Sequence, residues 1–210
     1  MNYNQCTKEE SDLLEALNRY GFMSFNQASY ILSNFSTCRN DKQAQAVVYS
    51  LARRRCVEWA DGHKFILTFS KAGDQFVDFD IIKALGVVIK KAGGLRDVLS
   101  AIVFDDVYKT LCFTSGGRLY NVSCMRDTAY LPSLFMNEQM FKEQMDAFNT
   151  KEELDESDFA YTTIFVFSAN ADREEVLNTF NKATLRLPHE IWFLQNDDLS
   201  EDLEYKIFIP

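Results

Sequence analysis

Between residues 7 and 70 apolar side chains recur every three to four residues in three successive stretches, and the pattern then turns β-rich around one tight turn. Three short amphipathic helices followed by a two-stranded hairpin constrain this chain more than any other feature of it. Thr7 is placed to cap the first helix, and Glu10 reaches back to it at capping-box spacing. Leu13, Leu14 and Leu17 supply its apolar stripe, and Gly21 its left-handed stop. Ser24 caps a short second helix, in which Phe25, Ala28 and Ile31 carry the period through Ile31 and Leu32. A polar segment, residues 33–40, separates it from a third helix spanning Asp41 to Arg54. Cys56 to Ala60 and His63 to Phe69 then form strands around Asp61-Gly62, a type I′ hairpin signal.

Beyond residue 73 helices and strands alternate. Asp74 to Ala92 has the spacing of an amphipathic helix, with Phe76, Ile82, Leu85, Ile89 and Ala92 on its stripe and Gly93-Gly94 as its end. Val98 to Phe104 is a strand candidate, and Thr110 to Thr114 pairs with Arg118 to Cys124 across Ser115-Gly116-Gly117. Pro132 to Phe148 has a helical pattern, and Lys151 to Asp158 is an acidic, solvated run. Strand Thr162 to Phe167, helix Ala171 to Lys182, strand Ile191 to Leu194 and a last strand near Tyr205 to Ile209 follow. The expected fold class is therefore α+β, with a largely helical unit (1–72) packed on an acidic α/β sheet domain (73–210).

Composition narrows the function classes. No apolar run approaches the roughly 18 residues a membrane span requires, and the first residues lack the basic and apolar regions of a signal peptide. The five cysteines are odd in number and scattered, with no C-x-x-C pair, which argues for reduced thiols in a cytoplasm. The net charge of -9 is unevenly divided. Residues 1–70 carry eight basic and seven acidic side chains, whereas 71–210 carry 14 and 24. A phosphate backbone would be repelled by the second part and tolerated by the first.

The order of elements in residues 7–70 resembles the winged helix-turn-helix superfamily. Leu-Leu-Glu-Ala-Leu at 13–17, Phe-Asn-Gln-Ala at 25–28 and Val-Tyr-Ser-Leu-Ala-Arg-Arg-Arg at 48–55 are similar to the amino-terminal part of replication-relaxation proteins of bacterial plasmids and mobile elements. The resemblance covers a third of the chain. It implies double-stranded DNA as partner and a regulatory or accessory role in a mobile element.

The third helix carries the candidate chemistry. Ala44, Val47, Val48 and Leu51 cluster on one face, which must pack on the first two helices. The opposite face presents Lys42, Ala46, Tyr49, Ser50 and Arg53, flanked by Gln43 and Gln45. Cations neutralise phosphates, amides read base edges, and Ala46 permits close approach. In a winged helix this helix enters the major groove, and the hairpin, here His63 and Lys64, rests on the adjacent backbone. An ordinary solvated face on a protein-docking module is the competing reading. Arg53 projects outward; Arg54 lies between faces; Arg55 falls at the core angle, where pairing with a carboxylate or capping of helix carbonyls is expected.

The resemblance also implies a test for a degenerate or divergent nuclease-like second domain. Such a site needs an Asp at one strand end, then an acid and a Lys two apart on the next strand, to hold metal and water. Asp105-Asp106 supplies the first part, but Leu119 to Cys124 carries neither an acid nor a lysine, so no enzyme is expected. Two distant histidines, His63 and His189, and scattered cysteines make no metal or nucleophile set, so no cofactor is implied. Ser115-Gly116-Gly117-Arg118 lacks the ending of a phosphate loop. The Met- and Phe-rich stretch 134–148 reads as core, with a helical partner surface as the alternative. The expected protein is a DNA-binding one, with dimerisation or partner binding left to the second domain.

Overall fold

The computed structural model of the chain describes residues 6–60, 62, 64–68, 78–103, 110–125, 128–129, 131–133, 135–136, 161–183, 188–195 and 205–209. Within these residues the chain is mixed α+β and contains two sheets.

The first part runs α1 (Lys8–Tyr20), β1 (Phe22–Ser24), α2 (Phe25–Phe35), α3 (Asp41–Arg53), β2 (Val57–Ala60) and β3 (Phe65–Thr68). Thr7 and Glu10 form the reciprocal capping box, and Gly21 at φ 85° stops α1. Three details differ from the sequence expectation. First, Phe22–Ser24 is a strand that pairs with β3, giving a three-stranded antiparallel sheet in the order β1-β3-β2. Second, α2 continues to Phe35, and the polar residues expected to end it bond back onto it. Ser33 Oγ donates to Ser29 O at 2.7 Å, and Asn34 Nδ2 to Tyr30 O at 3.0 Å. Third, Ala60 pairs with Phe65, so four residues rather than two join β2 and β3. The amide of Phe25 donates to Lys64 O at 2.9 Å, and Ser24 pairs with Phe65, which fixes where β3 begins. Asp61 and His63 lie outside the described residues, as does the expected boundary at 72.

α4 (Phe79–Lys91) follows; the earlier part of the expected helix, 74–77, is outside the described residues. Its sequence is apolar around most of its circumference, and Ile81, Ile82, Ala84, Leu85, Gly86, Val87, Val88 and Ile89 are all buried. A helix of that kind belongs between two layers rather than on a surface. One layer is the first part of the chain: Gln27 Nε2 donates to Ile82 O at 2.7 Å. The other is the second sheet: Tyr205 Oη donates to Lys83 O at 2.8 Å and Cys124 Sγ to Asp80 O at 3.2 Å.

The expected strand from Val98 is instead a short helix, α5 (Leu95–Ser100), and β4 is confined to Ile102–Val103, with Phe104 outside the described residues. Asp97 Oδ2 accepts from the Gly93 amide and the Ser115 hydroxyl, tying the turn to the sheet, while Tyr20 Oη holds Val98 O at 2.7 Å. β5 (Thr110–Ser115) and β6 (Arg118–Met125) form the expected hairpin, with Gly116 and Gly117 at φ 57° and 77° in a two-residue loop. β7 (Tyr161–Phe167), α6 (Arg173–Lys182), β8 (His189–Leu194) and β9 (Tyr205–Phe208) complete the described elements.

The second sheet has the order β4-β5-β6-β7-β8-β9, with parallel pairing only between β6, β7 and β8. Its side chains divide by strand period. Val122, Cys124, Ile164, Val166, Trp192 and Leu194 share one core with α4, α5 and the first part of the chain. Phe165, Phe167, Ile191 and Phe193 face Val176 and Phe180 of α6, with Met125 and Leu131. Residues 131–133 and 135–136 are helical; the rest of 137–160 is outside the described residues.

Candidate nucleic-acid interface

Asn40 caps α3, its side chain accepting from the Gln43 amide at 3.0 Å, and Arg54 follows its last turn. Ala44, Val48 and Leu51 are fully buried, and Val47 is half-buried against the same core. Tertiary packing therefore fixes the rotation of the helix. At 100° per residue Lys42, Ala46, Tyr49 and Arg53 fall within about 60° of one another on the opposite face. All four are exposed. Neither Lys42 nor Arg53 makes an ion pair with any of the described residues. Arg39, just before the helix, and Arg55, just after it, are exposed as well.

The remaining candidates are placed differently. Gln43 is exposed, but its Oε1 accepts from the Arg39 amide at 2.8 Å, so the side chain organises the turn into α3. Gln45 is half-buried. Ser50 is turned away from the outer stripe, since its hydroxyl donates to Glu10 Oε1 at 2.8 Å. Lys64 is exposed in the β2–β3 loop, and His63 is outside the described residues.

The arginines exchange the roles expected from helical angle. The helix ends at Arg53, so a helical projection no longer applies to Arg55, which is exposed with a left-handed φ of 54°. Arg54 makes the inward contact instead: its guanidinium lies 2.6 Å from Glu10 Oε2. Glu10 thus accepts from Arg54, Ser50 and the Thr7 amide while only 4% exposed. Burial pushes its carboxyl up, but these hydrogen bonds and the Arg54 charge outweigh burial and hold it below its ordinary value. The hydrogen bond and charge of Glu10, with a hydrogen bond to Cys6 Sγ, raise Arg54 further above its already high value. The carboxylate that joins the start of α1 to the end of α3 is therefore charged at neutral pH. Its sequence signal, the capping-box Glu, accounts for one of its three contacts; the other two come from 40 and 44 residues away.

An aromatic group also borders the stripe. Tyr49 packs on Phe25 and Trp59 with ring centroids 6.2 and 5.6 Å away, and Phe25 and Trp59 are 5.6 Å from each other. The three rings come from α3, α2 and β2, so no spacing within one element could have linked them. Tyr49 is 49% exposed, and its hydroxyl has no hydrogen bond with the described residues.

Among the described residues no group of three or more His, Cys, Asp and Glu side chains could hold a metal ion. β5 and β6 carry no carboxylate and no lysine, and Asp105 and Asp106 lie outside the described residues. No helix of the described residues is long and apolar enough to cross a membrane. No family model, no curated protein and no solved structure matches the chain.

Proposed function

We propose that the chain is a non-enzymatic DNA-binding protein in which residues 7–70 act as a winged helix-turn-helix. The outer face of α3 carries this reading: Lys42 and Arg53 stand exposed and unpaired among the described residues at its two ends, with Ala46 and Tyr49 between them. α3 would lie in the major groove, and the β2–β3 loop, with Lys64 and His63, would rest on the neighbouring backbone. Three helices leading into a hairpin is the element order this requires, and β1 adds a third strand that ties the hairpin to the helical body. Gln43 and Ser50 support the helix rather than lead the contact, and Gln45 is half-buried at the edge of the stripe.

The resemblance of residues 7–70 points to a regulator or accessory factor of a plasmid or mobile element. The acidic sheet domain would serve dimerisation or partner binding, placing two copies of α3 on a symmetric site. Five free cysteines support a reducing, cytoplasmic setting. A second reading, a module that docks a protein through the same helix, is favoured by the half-exposed rings at Tyr49 and Tyr30.

Titration of a labelled duplex at two salt concentrations separates the two. The double change Lys42→Ala and Arg53→Ala should leave the fold intact, weaken affinity and flatten the salt dependence, because each lost phosphate contact removes about one released counterion from the slope. Absence of duplex binding at low salt would refute this function and leave the docking module in its place.

A further inference from the structure

The outer face of α3 has a particular layout: a cation at each end and an apolar middle. Lys42 and Arg53 are separated by about 16 Å along the axis at 1.5 Å per residue. Between them the face offers Ala46 and the ring of Tyr49. That ring is not free to fold away. Phe25 and Trp59 back one side of it at 6.2 and 5.6 Å and also back each other. Such a ring is already ordered before anything binds, so a contact to it costs little conformational entropy.

The middle of this face is poorly suited to reading amides and carbonyls on base edges. Gln43 is committed to the Arg39 amide and Ser50 to Glu10, so neither presents a free fork of donors and acceptors beside Tyr49. What remains is the outer ring surface and the Ala46 methyl, with the half-buried Gln45 at the edge of the stripe. The major-groove floor displays one apolar group, the C5-methyl of thymine. The phosphates beside it complement the two cations. A stacked duplex presents base edges rather than base faces, so ring-on-base stacking is not the contact this geometry favours.

We propose that Tyr49, with Ala46 beside it, is a specificity-determining residue that reads thymine methyl groups. This rests on the duplex-binding reading above and names what that surface selects. The selection comes from the ring, and the hydroxyl is dispensable for it.

The test titrates the full-length chain against poly(dA-dT) and poly(dA-dU), which differ only in the methyl. Wild type should bind the thymine polymer more tightly, by about fourfold for each methyl buried. Tyr49→Phe should keep the preference, while Tyr49→Ala should bind both polymers alike, which also controls for any effect of the methyl on duplex shape. Circular dichroism and thermal melting would establish that both variants are folded. Equal wild-type affinity for the two polymers overturns the inference while leaving duplex binding intact. Loss of the preference in Tyr49→Phe overturns it too, by assigning selection to the hydroxyl. Failure of wild type to bind either polymer at low salt removes the duplex reading and the inference with it.

Discussion

Two buried side chains hold the candidate interface in place, and the sequence showed only one of them, Glu10, as part of a helix cap. Glu10 caps α1 and also receives Ser50 and Arg54 of α3. Its carboxyl is lowered in the folded chain, so it adds stability above its unfolded value, and that contribution is lost as pH falls through the depressed folded value. Acidification below the ordinary Glu range, about 4.3, should therefore loosen the α1–α3 contact. Glu10→Gln should melt at a lower temperature than wild type at neutral pH and converge with it in acid. Parallel melting-temperature profiles for the two would show that Glu10 contributes nothing to the acid transition. Gln27 is the second case. Its Oε1 completes the cap of α2 by accepting from the Ser24 amide, while its Nε2 donates across to Ile82 O. Gln27→Glu keeps the cap and removes the donor, so the buried carbonyl loses its side-chain partner at a cost of about 1–3 kcal/mol. Denaturant titrations should find that cost smaller at low pH, where a protonated carboxyl regains a donor; a cost independent of pH would assign the loss to packing.

At the scale of the elements, α4 decides how the molecule is assembled. A single-stripe helix would leave one face to solvent, but residues 81–89 except Lys83 are buried, so α4 packs into the shared core on both of its sides. Lys83 keeps its ammonium beside Asp80 at 3.1 Å, and Lys91 reaches Glu190 at 2.7 Å while lying over Tyr120 and Trp192. The cationic ends thus tie the helix to itself and to the sheet. Leu85 is fully buried, and Leu85→Ala should cost about 2–5 kcal/mol by leaving a cavity. Because the cavity sits between the layers, far-UV and near-UV circular dichroism should report one shared, earlier transition. Two separated transitions would mean that α4 belongs to one layer alone.

Across the whole molecule, the helices of the first part and one face of the second sheet contribute to a single buried core. The unit ending at residue 72 lacks α4, so it leaves Gln27, Tyr20 and the apolar surface against α4 without their partners. A fragment of residues 1–72 is therefore expected to unfold with low cooperativity and to bind an apolar dye, whereas the full chain unfolds cooperatively. A sharp, dye-free transition for the fragment would show that its own core suffices. For the second part, the absence of a carboxylate and a lysine from β5 and β6 predicts no cleavage of single- or double-stranded DNA with magnesium or manganese. Turnover that Asp105→Ala or Asp106→Ala abolishes would overturn that expectation.

Local chemistry was enough to place α1 with both caps, the start of α2, nearly all of α3, the two-glycine hairpin and the alternation of the second part, because each depends on side chains within a few residues. Periodicity also placed Lys42, Ala46, Tyr49 and Arg53 on the outward stripe, since a helix with one apolar face has little choice of rotation once that face is packed, but it put Ser50 there too, which the contact with Glu10 turns inward. Tertiary structure decided the rest. Phe22–Ser24 became a strand through pairing with β3, a partner more than 40 residues away. Val98–Ser100, the start of the expected strand, became the end of the helix Leu95–Ser100, with Tyr20 and Ser115 bonding it from either side. The exchange between Arg54 and Arg55 turned on where a helix stops, and the aromatic support of Tyr49 on three elements meeting. Interactions of that kind link residues whose separation along the chain carries no periodic signal, so they exist only once the chain has folded.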